Sequence, residues 1–166
     1  MREAIQVINE LKEKGLIKDY AIGGGIATLF YTEPFLTYDL DIFILTETTS
    51  TQTIIDLSPI FEYLKQKGYT WKGEHILIEG VPVQFIYADE LEKEAVEKAR
   101  IVEYEGVKTK VIAPEYLIAI LLRAGRKKDR EKVEKLLQEA EIDMKELQDI
   151  LDKFGLRERS ESYERG

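Results

Sequence analysis

The sequence predicts an α+β fold: a layer of mixed strands with helices packed on one side, followed by a helical C-terminal segment. Three observations predict it. Helical and strand spacings alternate as far as Ile112, which calls for helices laid on a sheet. Two stretches carry hairpin signals, with turns at Gly80 and at Glu105-Gly106. Beyond Pro114 only helical spacing remains. A chain of 166 residues is long enough for one compact core.

The elements follow in order. Ala4, Ile5, Val7, Ile8 and Leu11 have helical spacing, and Gly15 is a stop. Tyr20 to Ile22 is a short strand leading into three glycines, and Ile26 to Tyr31 is the helix behind them. Pro34 lies in the loop before a strand that carries Asp39-Leu40-Asp41. Thr46 to Thr53 is polar and rich in threonine, the composition of a mobile loop. Ser58-Pro59 reads as an N-cap with proline at the first helical position, and that helix runs to Gly68. His75–Glu79 and Val81–Tyr87 form one hairpin. Asp89 caps a helix through Ala99, and Ile101–Tyr104 with Val107–Ile112 form a second hairpin. Three helices complete the chain: Pro114 to near Gly125, Asp129 to Ala140, and Asp143 to Phe154. Residues 1–112 are read as the core, 113–156 as helices packed on it, and 157–166 as a charged tail expected to fray. No internal repeat or linker is visible.

Composition narrows the chemistry. With no cysteine there are neither disulfides nor thiolate metal sites, and a lone histidine, His75, rules out a zinc site built on histidines. No apolar run is long enough to span a bilayer and no signal peptide is visible, so a cytoplasmic protein without membrane association is expected. Charged residues make up 34% of the chain and asparagine occurs once, as Asn9, the balance of a heat-adapted protein. A net charge of −8 argues against indiscriminate coating of nucleic acid. One stretch reverses the sign: Arg123 to Lys132 holds six basic and two acidic residues, a local +4. Such a patch suits a triphosphate or an RNA end, although i,i+4 charge pairs on a helix surface explain most of these residues better.

The most informative stretch is Ile22 to Ile44. In a strand, residues i and i+2 share a face. Asp39 and Asp41 then project together, with Tyr38, Leu40, Ile42 and Ile44 on the opposite face. Adjacent carboxylates repel unless they are exposed or neutralised by a cation. Magnesium is held by one or two carboxylates together with substrate phosphates. Gly24 and Gly25 supply a turn where a phosphate can approach the main chain.

A Gly-Gly turn, a helix and then Asp-x-Asp on a strand resembles the nucleotidyltransferase-fold superfamily, the polymerase-β-like proteins. The likeness is closest to the AbiEii-like and MNT-like group, which has segments similar to Ala113-Pro114-Glu115-Tyr116-Leu117-Ile118-Ala119 and to Ala124-Gly125-Arg126-Lys127-Lys128-Asp129-Arg130. It spans Tyr20 to Leu137. The resemblance implies a nucleotidyltransferase-like mixed sheet. It also implies transfer of a nucleoside monophosphate from a nucleoside triphosphate to an acceptor hydroxyl on an RNA end, a protein or a small molecule. Asp39 and Asp41 would hold Mg2+ or Mn2+, Gly24 and Gly25 would admit the triphosphate, and Arg126 or Lys128 would neutralise developing charge. Family members place a third carboxylate on a later strand. Here that position is Gln84, which offers a carbonyl oxygen but accepts no proton at neutral pH. Glu79 and Asp89 are the candidate substitutes, although a helix cap accounts for Asp89. Trp71, His75, Glu115 and Asp129 have simpler structural explanations: packing, a strand edge, a helix dipole and a cap. The alternative function is a non-catalytic nucleotide- or partner-binding protein, such as half of a toxin–antitoxin pair.

Overall fold

Seven strands form one mixed sheet in the order β3-β4-β5-β2-β1-β7-β6. In the computed structural model, residues 1–47 and 56–164 are described, without side chains for 161–164. The strands are β1 (Asp19–Gly23), β2 (Leu40–Leu45), β3 (Thr70–Lys72), β4 (His75–Ile78), β5 (Val81–Tyr87), β6 (Arg100–Tyr104) and β7 (Val107–Val111). The helices are α1 (Arg2–Glu13), α2 (Gly24–Leu29), α3 (Ser58–Gln66), α4 (Glu90–Glu97), α5 (Pro114–Ala124), α6 (Lys127–Glu139), α7 (Met144–Lys153) and α8 (Arg157–Glu164). β1 and β2 are antiparallel, whereas β2–β5 and β1–β7 are parallel. Parallel neighbours need a crossover connection: α3, β3 and β4 lie between β2 and β5, and α4 with β6 lies on the way to β7.

Strand alternation sorts the central strands. Tyr20 and Ile22 of β1 and Leu40, Ile42 and Ile44 of β2 are at most 2% exposed. The buried stripe of α1 packs into the same core. Its Asn9 accepts a hydrogen bond from the Tyr20 hydroxyl at 2.7 Å, and Thr109 Oγ1 lies 2.8 Å from the same oxygen. The alternate residues of β1, β2 and β5 face the other way, toward α5 and α6. α5 is buried from Pro114 to Leu122, so this helix is central to the core. Each fully buried aliphatic side chain there contributes roughly 1.5–3 kcal/mol.

Several expectations need correction. β2 begins at Leu40, so Asp39 precedes the strand. The β1–β2 ladder ends at Gly23 opposite Asp41, where β1 turns into α2, so β1 offers Asp39 no ladder partner. Tyr38 is 71% exposed, so it does not share the buried face of Leu40. Thr70–Lys72 is an additional short strand, paired with β4 and exposed along its length. Leu57, not Ser58, holds the N-cap position of α3, and the Ser58 N–H donates to the Asp56 carboxylate at 2.9 Å. α6 begins at Lys127 rather than Asp129. The charged tail carries α8, tied down by an Arg157–Asp152 pair at 2.7 Å and by a hydrogen bond from Arg159 to the Arg123 carbonyl. Most of the expected Thr46–Thr53 loop lies outside the described residues. Among the described residues no helix is long and apolar enough to cross a membrane.

Candidate active site

Asp41 stands at the centre of the site because three strands converge on it. It pairs with Gly23 of β1 on one side and with Gln84 of β5 on the other. Cross-strand neighbours share a face, so Asp41 and Gln84 project together. The β4–β5 register, with Ile76 opposite Val83, brings His75 alongside Gln84. Two residues along the strands, Phe43 and Ile86 continue the same face.

These side chains floor an open cleft of about 440 Å³. Gly24, Gly25, Thr37 and Asp39 border it, and α5 and α6 form its wall with Arg126, Lys128, Asp129 and Lys132. The glycines are required here. Gly24 has φ +59°, and a Cβ on it would stand 2.2 Å from Asp41 Oδ2. A Cβ on Gly25 would stand 2.4 Å from Thr37 Oγ1.

Electrostatics distinguish the two aspartates. Burial pushes the Asp41 carboxyl above its usual range, and Asp39 adds to this, while His75, Lys128 and Lys132 oppose it. Asp39 is half exposed, and His75 Nε2 lies 3.7 Å from its Oδ2. Among the described residues no group of three His, Asp or Glu residues is arranged to hold a metal by itself. Asp39 and Asp41 are the two aspartates at the cleft that could supply part of a divalent cation's coordination. A cation there would relieve the repulsion that raises Asp41.

The basic residues divide by what they hold. Arg126 is committed: its Nε donates to Asp129 Oδ2 at 2.7 Å and its Nη2 to Oδ1 at 3.2 Å. Asp129 is 1% exposed and also accepts the Arg126 backbone N–H, so it caps α6 and fixes this arginine at the cleft edge. Arg123 is committed as well, to Asp89 at 2.7 Å and Glu92 at 2.9 Å. Lys128 and Lys132 make no ion pair among the described residues. Lys132 is the half-buried one of the two. Burial pushes its ammonium below the usual range, against the opposing pull of Asp129.

Asp39, Asp41, Gln84, Gly24, Gly25, Arg126 and Lys128 all border this one cleft. The two substitute acids do not. The Glu79 carboxylate accepts the Tyr69 hydroxyl at 2.7 Å in the β4–β5 turn. Asp89 caps α4 by accepting the Glu92 N–H at 2.9 Å. Glu92 does border the cleft; it is 8% exposed and held by Arg123 and the Asp89 N–H. Sequence reasoning missed Glu92, Thr37 and Lys132. Lys132 was within reach, since its i,i+4 spacing from Lys128 places both on one helix face. Trp71 packs edge-on against Phe61, with ring centroids 5.0 Å apart. Glu115 is 3% exposed, and its Oε2 has no hydrogen-bond partner among the described residues.

A family model described as "Nucleotidyl transferase of unknown function (DUF2204)" matches residues 1–165. No curated protein matches the sequence. Among solved structures, the chain is similar to an antigenic nucleotidyltransferase-like protein from Paracoccidioides brasiliensis. The two are 17% identical, with 98% of this chain and 93% of that one covered and a TM-score of 0.55. It is also similar to the antibiotic-resistance factor ANT(2'')-Ia, at 13% identity, 98% and 95% coverage and a TM-score of 0.52. At these identities the likeness is one of fold.

Proposed function

We infer that this chain, which belongs to the family of nucleotidyl transferases of unknown function (DUF2204), moves a nucleoside monophosphate from a nucleoside triphosphate to an acceptor hydroxyl. The acceptor oxygen forms a bond to the α-phosphorus, the bond from that phosphorus to the bridging oxygen breaks, and pyrophosphate leaves. One observation carries the reading: the Asp41 carboxylate is seated against Gly24, with Asp39 beside it, in a cleft whose wall presents two lysines that have no ion-pair partner among the described residues. Carboxylates for a divalent cation and ammoniums for phosphate meet there.

Mg2+ or Mn2+ held by Asp39 and Asp41 would polarise the phosphates and lower the pKa of the acceptor hydroxyl. The chain's own groups do the rest. Gly24 lets Asp41 lie flat against the main chain. Gln84, aligned with Asp41, offers an amide carbonyl to the same space. Lys128 opposes the charge that develops on the departing phosphates.

The test is incubation with each labelled nucleoside triphosphate, magnesium or manganese, and total RNA or protein extract. Label should move to an acceptor with wild type and not with Asp41→Asn. A wild type that neither transfers label nor binds any nucleoside triphosphate would sink the reading.

Gln84 favours a second reading. It puts a neutral amide beside Asp41, and neither Glu79 nor Asp89 borders the cleft to replace the acid. A chain that binds nucleotide without transferring it, as a component of an AbiEii-like toxin–antitoxin pair, would carry the same cleft. Transfer that appears only in Gln84→Glu would favour this alternative.

A further inference from the structure

Residues 35–38 have the exposure pattern of a strand that has no neighbouring strand. Leu36 is 83% exposed and Tyr38 71%, while Phe35 and Thr37 are half-buried. Such alternation belongs to an extended chain, here with Leu36 and Tyr38 on one outward face. The ladders of β2 stop short of this stretch: they start at Asp41 on the β1 side and at Leu40 on the β5 side. Among the described residues, no backbone N–H or carbonyl of Leu36, Thr37 or Tyr38 has a hydrogen-bond partner. The stretch is nevertheless held at both ends. The Glu33 N–H donates to Glu139 Oε1 at 3.0 Å, the Lys135 ammonium stands 5.7 Å from the centre of the Phe35 ring, and Asp39 leads directly into β2. The result is a fixed strip of unpaired main chain with two apolar side chains, ending at the carboxylates of the cleft.

The chemistry of the strip selects its occupant. Unpaired N–H and C=O groups repeating at about 3.3 Å per residue match another extended polypeptide. Glu33 and Asp39 flank the strip, and from Gly23 to Glu47 the sequence has no lysine or arginine. Acidic ends repel a phosphodiester chain, and they would repel the same ends of a second copy of this chain. They suit a segment that carries basic residues. Building on the nucleotidyl-transfer reading, we propose that residues 35–38 are the docking strand for a polypeptide acceptor. An extended basic segment adds alongside them, rests alternate apolar side chains on Leu36 and Tyr38, and carries a hydroxyl past Asp39 into the cleft. That oxygen forms the bond to the α-phosphorus, the bond to the bridging oxygen breaks, pyrophosphate leaves, and the hydroxyl proton passes to water. Acceptor choice then resides in Leu36 and Tyr38, neither of which lines the cleft itself.

The experiment measures binding by fluorescence anisotropy and transfer from an α-labelled nucleoside triphosphate with magnesium or manganese. The probes are a peptide of alternating lysine and valine around a central serine, the same peptide N-methylated at alternate residues, its counterpart with glutamate for lysine, and a single-stranded oligoribonucleotide. The proteins are wild type, the double variant Leu36→Ser with Tyr38→Ser, and Leu36→Pro, which removes one N–H from the strip. The basic peptide should bind wild type and take the label, and the glutamate peptide should do neither. Removing a few main-chain hydrogen bonds by N-methylation should weaken binding about 10- to 100-fold. Both variants should lose the peptide to a similar extent, yet bind a non-hydrolysable α,β-methylene triphosphate as wild type does. Equal binding of the N-methylated peptide, or peptide binding unchanged in both variants, would show that the strip is not the docking strand. If wild type binds the triphosphate but labels only the oligoribonucleotide, or binds no peptide, the polypeptide acceptor is wrong and the transfer reading survives. If wild type binds no triphosphate, the transfer reading falls and this proposal with it. Leu36 and Tyr38 are exposed, so the variants should fold, as thermal unfolding will check.

Discussion

Replacing Gly24 with alanine separates the shape of the site from the stability of the fold. At φ +59° a side chain adopts the left-handed region, which costs roughly 1–2 kcal/mol. The added methyl would also stand 2.2 Å from Asp41 Oδ2 and 3.0 Å from its Cγ. Ordinary carbon–oxygen contacts are about 3.3 Å, so the carboxylate oxygen must retreat by about 1 Å. A displacement of about 1 Å at a reacting centre can cost on the order of 100-fold in rate. Gly73 is the matched control: its φ is +65°, and a Cβ there would meet nothing within 4 Å. Gly73→Ala should therefore suffer the same backbone strain with no effect on Asp41. Urea unfolding should show both variants destabilised by roughly 1–2 kcal/mol. Metal-dependent pyrophosphate release should fall about 100-fold in Gly24→Ala alone. If the two variants turn over nucleotide within about threefold of each other while both remain folded, the argument that Gly24 exists to seat Asp41 is refuted.

The other predictions concern charge and buried polar groups. Gln84→Glu restores a carboxylate next to Asp41 and should raise transfer by about 10²–10⁴-fold; an unchanged initial rate would show that no base was missing at this position. Burial pushes the Glu115 carboxyl above its ordinary value of 4.5, with repulsion from Glu146 adding to it and Arg100 and the Asp143 backbone opposing it. The folded protein thus holds this proton more tightly than the unfolded chain, and the linked stability, present below about pH 4.5, is lost as pH rises through the raised value. Melting temperatures of wild type and Glu115→Gln should converge in acid and diverge in favour of Gln toward neutral pH; a constant difference across that range would refute this. Tyr20→Phe removes the partner of Asn9 and Thr109 and should cost about 1–3 kcal/mol by denaturant titration, with nucleotide binding unchanged.

The floor of the cleft was legible in the sequence because strand alternation and glycine chemistry act locally. Asp41 and Gln84 face one way, and Gly24 opens a helix, for reasons contained within a few residues. What was not legible depends on register and burial. Asp39 reads as strand by alternation, but the ladder stops where β1 turns at Gly24, a fact of another segment. Asp129 reads as an ordinary cap, and nothing local shows that it immobilises Arg126 and removes it from the supply of free cations. Lys132 reads as one charge among many on a helix surface. Only the packing of α6 against the glycine turn makes its ammonium expensive. Tyr20 looks like strand propensity alone until Asn9 and Thr109, distant in sequence, close around its hydroxyl. The Glu79 and Asp89 alternatives failed because nearness along the chain says little about which face of a sheet a loop reaches.

One carboxylate comes from β2 and the other from the residue just before it, while the lysines come from α6, with most of the sheet made between them in the chain. A molecule that touches both sides is in effect a removable cross-link between early and late parts of the polypeptide. It cannot be grasped by a chain still lacking its final third, so a growing chain would stay inert until α6 has docked. Once bound, the same molecule resists the peeling of α6 from the sheet. At a hundredfold excess over its dissociation constant it would add about 2.7 kcal/mol to the free energy of unfolding. The melting temperature would then act as a gauge of the nucleotide supply.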